Sequence, residues 1–247
     1  MKAAILAAGT GSRLKKYAEK TPKTLLKINN APILHCILNS ISKLNITEAA
    51  IITGFEAAKI KKFAGNGTNW RINLRYIHNP RYKTTNNIYS LYLAKNYLSG
   101  HEFLIINSDT FFHEDILFKL HSSAKKGIIL AVDTEKELEE EGMKVLIEDD
   151  RIAGISKDMP LKEAAGEYIG LSRIDRQFSN IFFESIENVI KGKGAAVFYE
   201  EAFKNLIKNR HAIYYQSTEG LPWIEIDTPL DLKKAREIAQ LVRGDQN

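Results

Sequence analysis

Apolar residues along this chain gather in two ways. Compact runs with hardly any polar interruption lie at residues 2–8, 49–54, 103–107 and 128–132. Runs this short, without an amphipathic stripe, predict strands buried on both faces. Between them the apolar positions recur at helical spacing: Leu34, Leu38, Ile41 and Leu44 after Pro32, residues 57–63, the Ile88, Leu91, Tyr92 and Leu98 face of residues 87–98, and residues 115–124. These predict helices, and Pro32 suits a first turn. Residues 72–77 alternate apolar and polar, which predicts a further strand.

Strands alternating with helices imply a parallel sheet with helices on both faces. The fold class expected is α/β, a Rossmann-like, mostly parallel mixed sheet. In such sheets ligands lie beyond the carboxyl ends of the strands. Past Asp133 the pattern changes. Residues 135–141 are an acidic loop or helix end, and residues 143–148 and 151–156 flank Asp149-Asp150 as a hairpin. A strand at 166–172, helices at 180–190 and 198–209, and strands at 212–216 and 223–227 follow. Residues 230–242 form a closing helix with Thr228 as N-cap. With no internal repeat or Gly/Ser linker, residues 1–247 read as a single domain whose second half forms a smaller hairpin and lid region.

Composition narrows the class. With 44% hydrophobic and 26% charged residues, this is an ordinary globular chain able to bury a full core. Its net charge of +5 could suit nucleic acid, but it is spread out without the interleaved aromatic and basic residues of a nucleic-acid face and suits small phosphorylated substrates equally well. Cys36 is the only cysteine, which excludes an intrachain disulfide, and its neighbours Leu34 and Ile37 predict a buried thiol. No stretch reads as a signal peptide or membrane span, so a cytoplasmic monomer or homodimer is expected. The histidines lack ligand spacing and no serine nucleophile motif occurs, which leaves zinc chemistry and hydrolysis little support.

The candidate chemistry begins at the end of the first strand, where Leu6, Ala7 and Ala8 run into Gly9-Thr10-Gly11-Ser12-Arg13-Leu14. A dinucleotide loop would place a third glycine where Leu14 stands and an acid where the second strand ends in Thr53. A glycine pair alone equally marks a turn, but Arg13 and Lys23 just downstream add a guanidinium and an ammonium that together could receive a pyrophosphate. Asp109 and Asp227 both stand at strand ends, where carboxylates beside bound phosphates hold Mg²⁺; each could alternatively cap a turn. Thr85, Asn86 and Asn87 could read a base edge or cap the helix they precede. Lys157, at a hairpin end, is either a solvated cation or one that meets an α-phosphate and its acceptor. Glu167, Tyr168, Phe198, Tyr199, Glu200, Glu219 and Trp223 offer carboxylates and aromatic faces suited to an ammonium group, though such aromatics also build cores.

The run from Leu6 to Leu14 with Pro22-Lys23 resembles the glycine-loop pattern of the nucleotidyltransferases that activate sugar phosphates and small phospho-alcohols. Asp109 and Asp227 match that family's two magnesium aspartates, and Lys157 its hairpin lysine. Residues 86–93, 166–171 and 220–227 are similar to the CTP:phosphocholine cytidylyltransferase branch, which has relatives acting on aminoethylphosphonate. Ser108 departs from the pattern, since many relatives carry glycine before the aspartate. The resemblance implies CTP as substrate, Mg²⁺ as cofactor, and CMP transfer to phosphocholine or a similar small amino-alcohol phosphate with release of pyrophosphate. Residues 1–133 would then be the nucleotide core, 134–226 the acceptor-binding part, and 227–247 the second metal aspartate with the closing helix. Transfer to aminoethylphosphonate, transfer of another nucleotide to a sugar or inositol phosphate, and a nucleotide-sensing module are the alternatives.

Overall fold

The computed structural model describes residues 1–17 and 20–244; residues 18, 19 and 245–247, which the single-domain reading includes, lie outside the described residues. The apolar runs become the strands of one mixed sheet. Strand β1 (Lys2–Ala7) is buried along its whole length and pairs in parallel with β4 (Glu48–Thr53) and β6 (Phe103–Asn107). Beyond β4 lies β5 (Asn73–His78), also parallel. A two-stranded ribbon of β2 (Lys27–Ile28) and β3 (Ala31–Pro32) precedes the first helix.

On the other side of β6 runs β11 (Gly166–Ile174), antiparallel to it and to β8 (Ile128–Asp133), which in turn carries β12 (Ile213–Ser217) in parallel. The hairpin of β9 (Lys144–Glu148) and β10 (Arg151–Ser156) joins the start of β11. Its turn residues Asp149 and Asp150 both have positive φ, as a tight hairpin turn requires. The expected fold class holds: a mostly parallel mixed sheet with helices on both faces.

Successive residues of a strand point to opposite faces, so the sheet separates two apolar cores. One collects Ala3, Ile5 and Ala7 of β1 under helices α1 (Ile33–Lys43), α5 (Glu114–Ser122) and α8 (Pro229–Gly244). The other collects Ala4 and Leu6 under α3 (Asn87–Leu93), α6 (Ser179–Lys193) and α7 (Glu200–Lys208). Helix α2 (Ala57–Ala64) adds Ile60 and Ala64 to the first core.

Five details differ from the sequence reading. The helix expected over residues 87–98 breaks at Ala94 into α3 and the short α4 (Lys95–Leu98). Strand β11 continues past residue 172 to Ile174, and α7 starts at Glu200 rather than at Phe198. Cys36 is only partly buried, on the flank of α1. Thr110–Phe112, between the strand and the helix expected at 103–107 and 115–124, is a strand of its own, β7.

Candidate active site

Strand β7 pairs antiparallel with β13 (Trp223–Glu225), Glu225 lying opposite Thr110. The ladder continues one step further, with Ile226 donating its backbone N–H to the carbonyl of Asp109 at 3.0 Å. This ribbon brings together two aspartates far apart in the chain. Asp227 is held from its other side by the start of α8. There the Thr228 hydroxyl accepts from the Asp231 N–H at 3.3 Å, while Asp231 Oδ2 accepts from the N–H groups of Thr228 (2.7 Å) and Asp227 (3.1 Å). That is a reciprocal capping box, so the expected Thr228 cap also fixes the backbone of the aspartate.

Oxygens of Asp109, Glu225 and Asp227 lie within 4.8 Å of one another, an all-oxygen donor set of the kind hard divalent cations prefer. The Lys23 ammonium now sits among them, donating to Asp109 Oδ2 at 2.9 Å and Asp227 Oδ1 at 2.6 Å with its side chain only 11% exposed. Arg13 adds a bond of 2.6 Å to Asp227 Oδ2 and one of 3.3 Å to the exposed Glu141. Burial opposes the charge on Lys23, yet Asp109 and Asp227 outweigh it and hold its pKa above the ordinary value. Burial likewise opposes the charge on Asp227, but Lys23 and then Arg13 keep its carboxyl below the usual range. Enclosure by protein and repulsion from Asp109 and Asp227 push the Glu225 carboxyl up. Repulsion is the firmer cause, because the Glu225 side chain still opens to solvent and keeps much of its water.

The loop after β1 borders the same place. Gly9 has open space where a side chain would begin, as a ligand-facing position should, and Gly11 takes a positive φ before the turn that starts at Ser12. Leu14, which replaces the third glycine of a dinucleotide loop, is fully buried and fastens the loop to the core, its N–H bonded to the Gly11 carbonyl at 3.0 Å. Thr10 and Ser12 belong to this loop, and Ala7 is buried in the strand that feeds it. Ser108 is buried, its N–H reaching the Leu6 carbonyl at 3.4 Å, beside Asp109.

A cleft of about 220 Å³ joins these parts, with Leu6, Ala8, Gly9, Arg13, Asp109, Glu225 and Asp227 in its wall. Thr85, Asn86 and Asn87 line it as well. The capping role considered for the asparagines is also present: Asn86 Oδ1 accepts from the Asn87 N–H at 2.8 Å, and Asn87 Oδ1 accepts from the Tyr199 N–H at 2.8 Å. Lys157, Tyr168, Phe198 and Glu200 complete the wall with Met143 and Gly170. Gly170 has a positive φ of 81°, and a side chain there would begin 2.5 Å from the Asn107 amide. Burial pushes the Glu200 carboxyl up to about 7, the helix-start amide and Lys157 partly offsetting it.

The remaining sequence candidates lie elsewhere. Tyr199 is fully buried behind the wall, its hydroxyl 2.6 Å from that of Tyr168. Trp223 and Glu167 line a neighbouring groove that meets the cleft at Glu225 and Asp227, and the Trp223 indole donates to Asp133 Oδ2 at 2.6 Å. Glu219 is tied to Lys119 at 2.6 Å. Glu225, Asn107 and Asn79 are cleft residues that the sequence reading did not single out. For Glu225 a signal existed, since it precedes Asp227 by two positions and so shares a strand face with it.

Among the described residues no helix is long and apolar enough to cross a membrane. Comparison with known proteins agrees with the architecture. A structure of CTP:phosphocholine cytidylyltransferase from Streptococcus pneumoniae superposes with a TM-score of 0.77 at 25% identity, over 96% of this chain and 98% of that one. In sequence the chain is 26% identical over 240 residues to the choline-phosphate cytidylyltransferase of Streptococcus pneumoniae, covering 96% of this chain and 98% of that protein. It is also 26% identical over 244 residues to the CMP-5'-(3-aminopropyl)phosphonate synthase of Streptomyces rubellomurinus; that match takes in 95% of this chain but spans only 38% of the relative's length. Residues 2–238 match the nucleotidyl transferase family over nearly the whole chain, and the protein therefore belongs to that family.

Proposed function

We propose that this chain transfers CMP from CTP to a small phosphorylated amino-alcohol of the phosphocholine type, or to a related aminophosphonate, and releases pyrophosphate. The observation that carries this reading is the meeting, in one cleft, of the glycine loop, the three carboxylates of Asp109, Glu225 and Asp227, and Lys157. The named activities of the two relatives above support cytidine as the base and an amino-bearing acceptor.

A phosphoryl oxygen of the acceptor forms a bond to the α-phosphorus of CTP as the bond from that phosphorus to the β-phosphate bridge breaks, and the electron pair leaves with pyrophosphate. The attacking oxygen is already anionic near neutral pH, so positioning and charge neutralisation are the main demands. Arg13 and Lys23 exchange their carboxylate partners for the β- and γ-phosphates and stabilise the leaving group. Lys157 holds the two reacting phosphoryl groups together against their repulsion. Thr85, Asn86 and Asn87 orient the base. Asp109 and Asp227, with Glu225 beside them, are the residues that would hold Mg²⁺, which when bound supplies charge neutralisation on the nucleotide oxygens.

The test is pyrophosphate release over a panel of nucleoside triphosphates and acceptors. Turnover restricted to CTP with amino-bearing phosphates or phosphonates is expected. Release that requires a sugar or inositol phosphate, or another nucleotide, would replace this reading.

A further inference from the structure

Glu200 is only 6% exposed, and its Oε2 has no hydrogen-bond partner although it stands in the cleft wall. A buried carboxylate oxygen without a donor is costly, and such a group persists where a ligand completes it. Lys157 does not do so: among the described residues it makes no ion pair, and its ammonium lies over the Phe198 ring, 5.0 Å from the centroid. The aromatic side chains nearby are otherwise engaged. Of those in the wall, Phe198 is 40% exposed and its ring carries the Lys157 ammonium, Tyr82 has the Lys83 ammonium 6.0 Å from its ring centroid, and Tyr168 is 3% exposed. Tyr199 is 0% exposed, Tyr168 and Tyr199 pack edge-on with Phe203, and Trp223 is 7% exposed with the Lys136 ammonium over its ring. What the cleft offers a cation is thus a hydrogen-bond acceptor rather than a box of open aromatic faces.

A quaternary ammonium has no N–H to donate and is held by aromatic faces, whereas a primary ammonium has three donors and is held by oxygens. We infer that the acceptor is a phosphate monoester or phosphonate of a primary amine, with Glu200 Oε2 accepting from its ammonium while Lys157 meets its phosphoryl group. This inference rests on the CMP-transfer reading and narrows it from phosphocholine-type acceptors in general to those with N–H donors. Both groups line one small cleft, so the chain joining amine and phosphorus is short.

The test is kcat/KM for pyrophosphate release from CTP with phosphoethanolamine, its N-methyl and N,N-dimethyl derivatives, phosphocholine and 2-aminoethylphosphonate. The primary amines are expected to exceed phosphocholine at least 100-fold, with the largest step where the last N–H is lost. The ratio between phosphoethanolamine and 2-aminoethylphosphonate tells ester from phosphonate. In Glu200→Gln, shown to be folded by its calorimetric CTP affinity, the primary amines should lose at least tenfold and the methyl series should flatten. Phosphocholine turned over as well as phosphoethanolamine by the unaltered protein, or an undiminished preference in Glu200→Gln, overturns the inference and leaves CMP transfer standing. Turnover of none of the five overturns CMP transfer to amino-bearing acceptors and the inference with it.

Discussion

The Lys23 ammonium bonds both aspartates that a divalent cation would need, and Arg13 bonds one of them. In the nucleotide-free protein the cations proposed for pyrophosphate and the carboxylates proposed for metal therefore neutralise one another. Each should matter most when charge develops. Asp109→Ala is expected to lower kcat by roughly 100-fold or more, since a metal offsets several kcal/mol of transition-state charge; near-normal turnover at saturating CTP would rule out its metal role. Glu200 makes a second prediction, on stability. Its carboxyl rises from 4.5 to about 7 on folding, so the folded state binds a proton that the unfolded chain has released. Stability therefore falls as pH rises from about 4.5 to about 7. Glu200→Gln cannot titrate, and in the free protein it should melt higher than the unaltered protein at pH 8, by on the order of 3 kcal/mol, with the difference vanishing near pH 4. Thermal melts at the two pH values check this, and an equal gap at both would contradict it.

Among the elements, the β7–β13 ribbon is what makes a site out of separate residues, and it was the part least legible in the sequence. Buried parallel strands such as β1 and β6 announce themselves as apolar runs. A three-residue strand like Thr110–Phe112 is too short to show a period, and nothing local tells that it will meet Trp223–Glu225. The aspartates could be picked out from their positions after strands and paired through the family resemblance, and the position of Glu225 two residues before Asp227 was a signal left unread; the ribbon that brings the three together was not legible. The break at Ala94 was hidden for a different reason: alanine is the best helix former, so no local signal marks it. For Trp223 and Tyr199 residue type alone did not reveal which side chains open on the cleft. Two variants probe these supports. Asp231→Ala removes the reciprocal cap of α8 and should cost about 1 kcal/mol. By loosening Asp227 it should also raise the Mg²⁺ concentration needed for half-maximal rate; an unchanged metal requirement would show that the cap serves the helix alone. Arg173 is 3% exposed and donates to the carbonyls of Leu120, His121, Ser123 and Lys125 at the end of α5. Arg173→Ala should cost about 3–5 kcal/mol in denaturant unfolding, because those carbonyls lose a buried donor and Asp175 loses its cationic partner, keeping only the Gly127 N–H.

For the molecule as a whole, one sheet carries the glycine loop on its parallel half and, through β11 and the β9–β10 hairpin, the wall that holds Lys157 and Tyr168. Gly170, at the irregular stretch of β11 between Tyr168 and Ser172, lets that strand pass close to Asn107. On the proposed CMP-transfer reading the sheet aligns a nucleotide end with an acceptor end, and the modest positive charge of the chain suits two phosphorylated substrates meeting there. The claim on which everything else depends is that CMP moves to the acceptor. Incubating the protein with CTP labelled at the α-phosphorus, Mg²⁺ and phosphoethanolamine, and following the label, tests it most directly. The expected result is label in a CDP-linked amine, formed one for one with unlabelled pyrophosphate and only when acceptor is present. Label that stays in CTP, or that appears as free CMP whether or not acceptor is added, would contradict it.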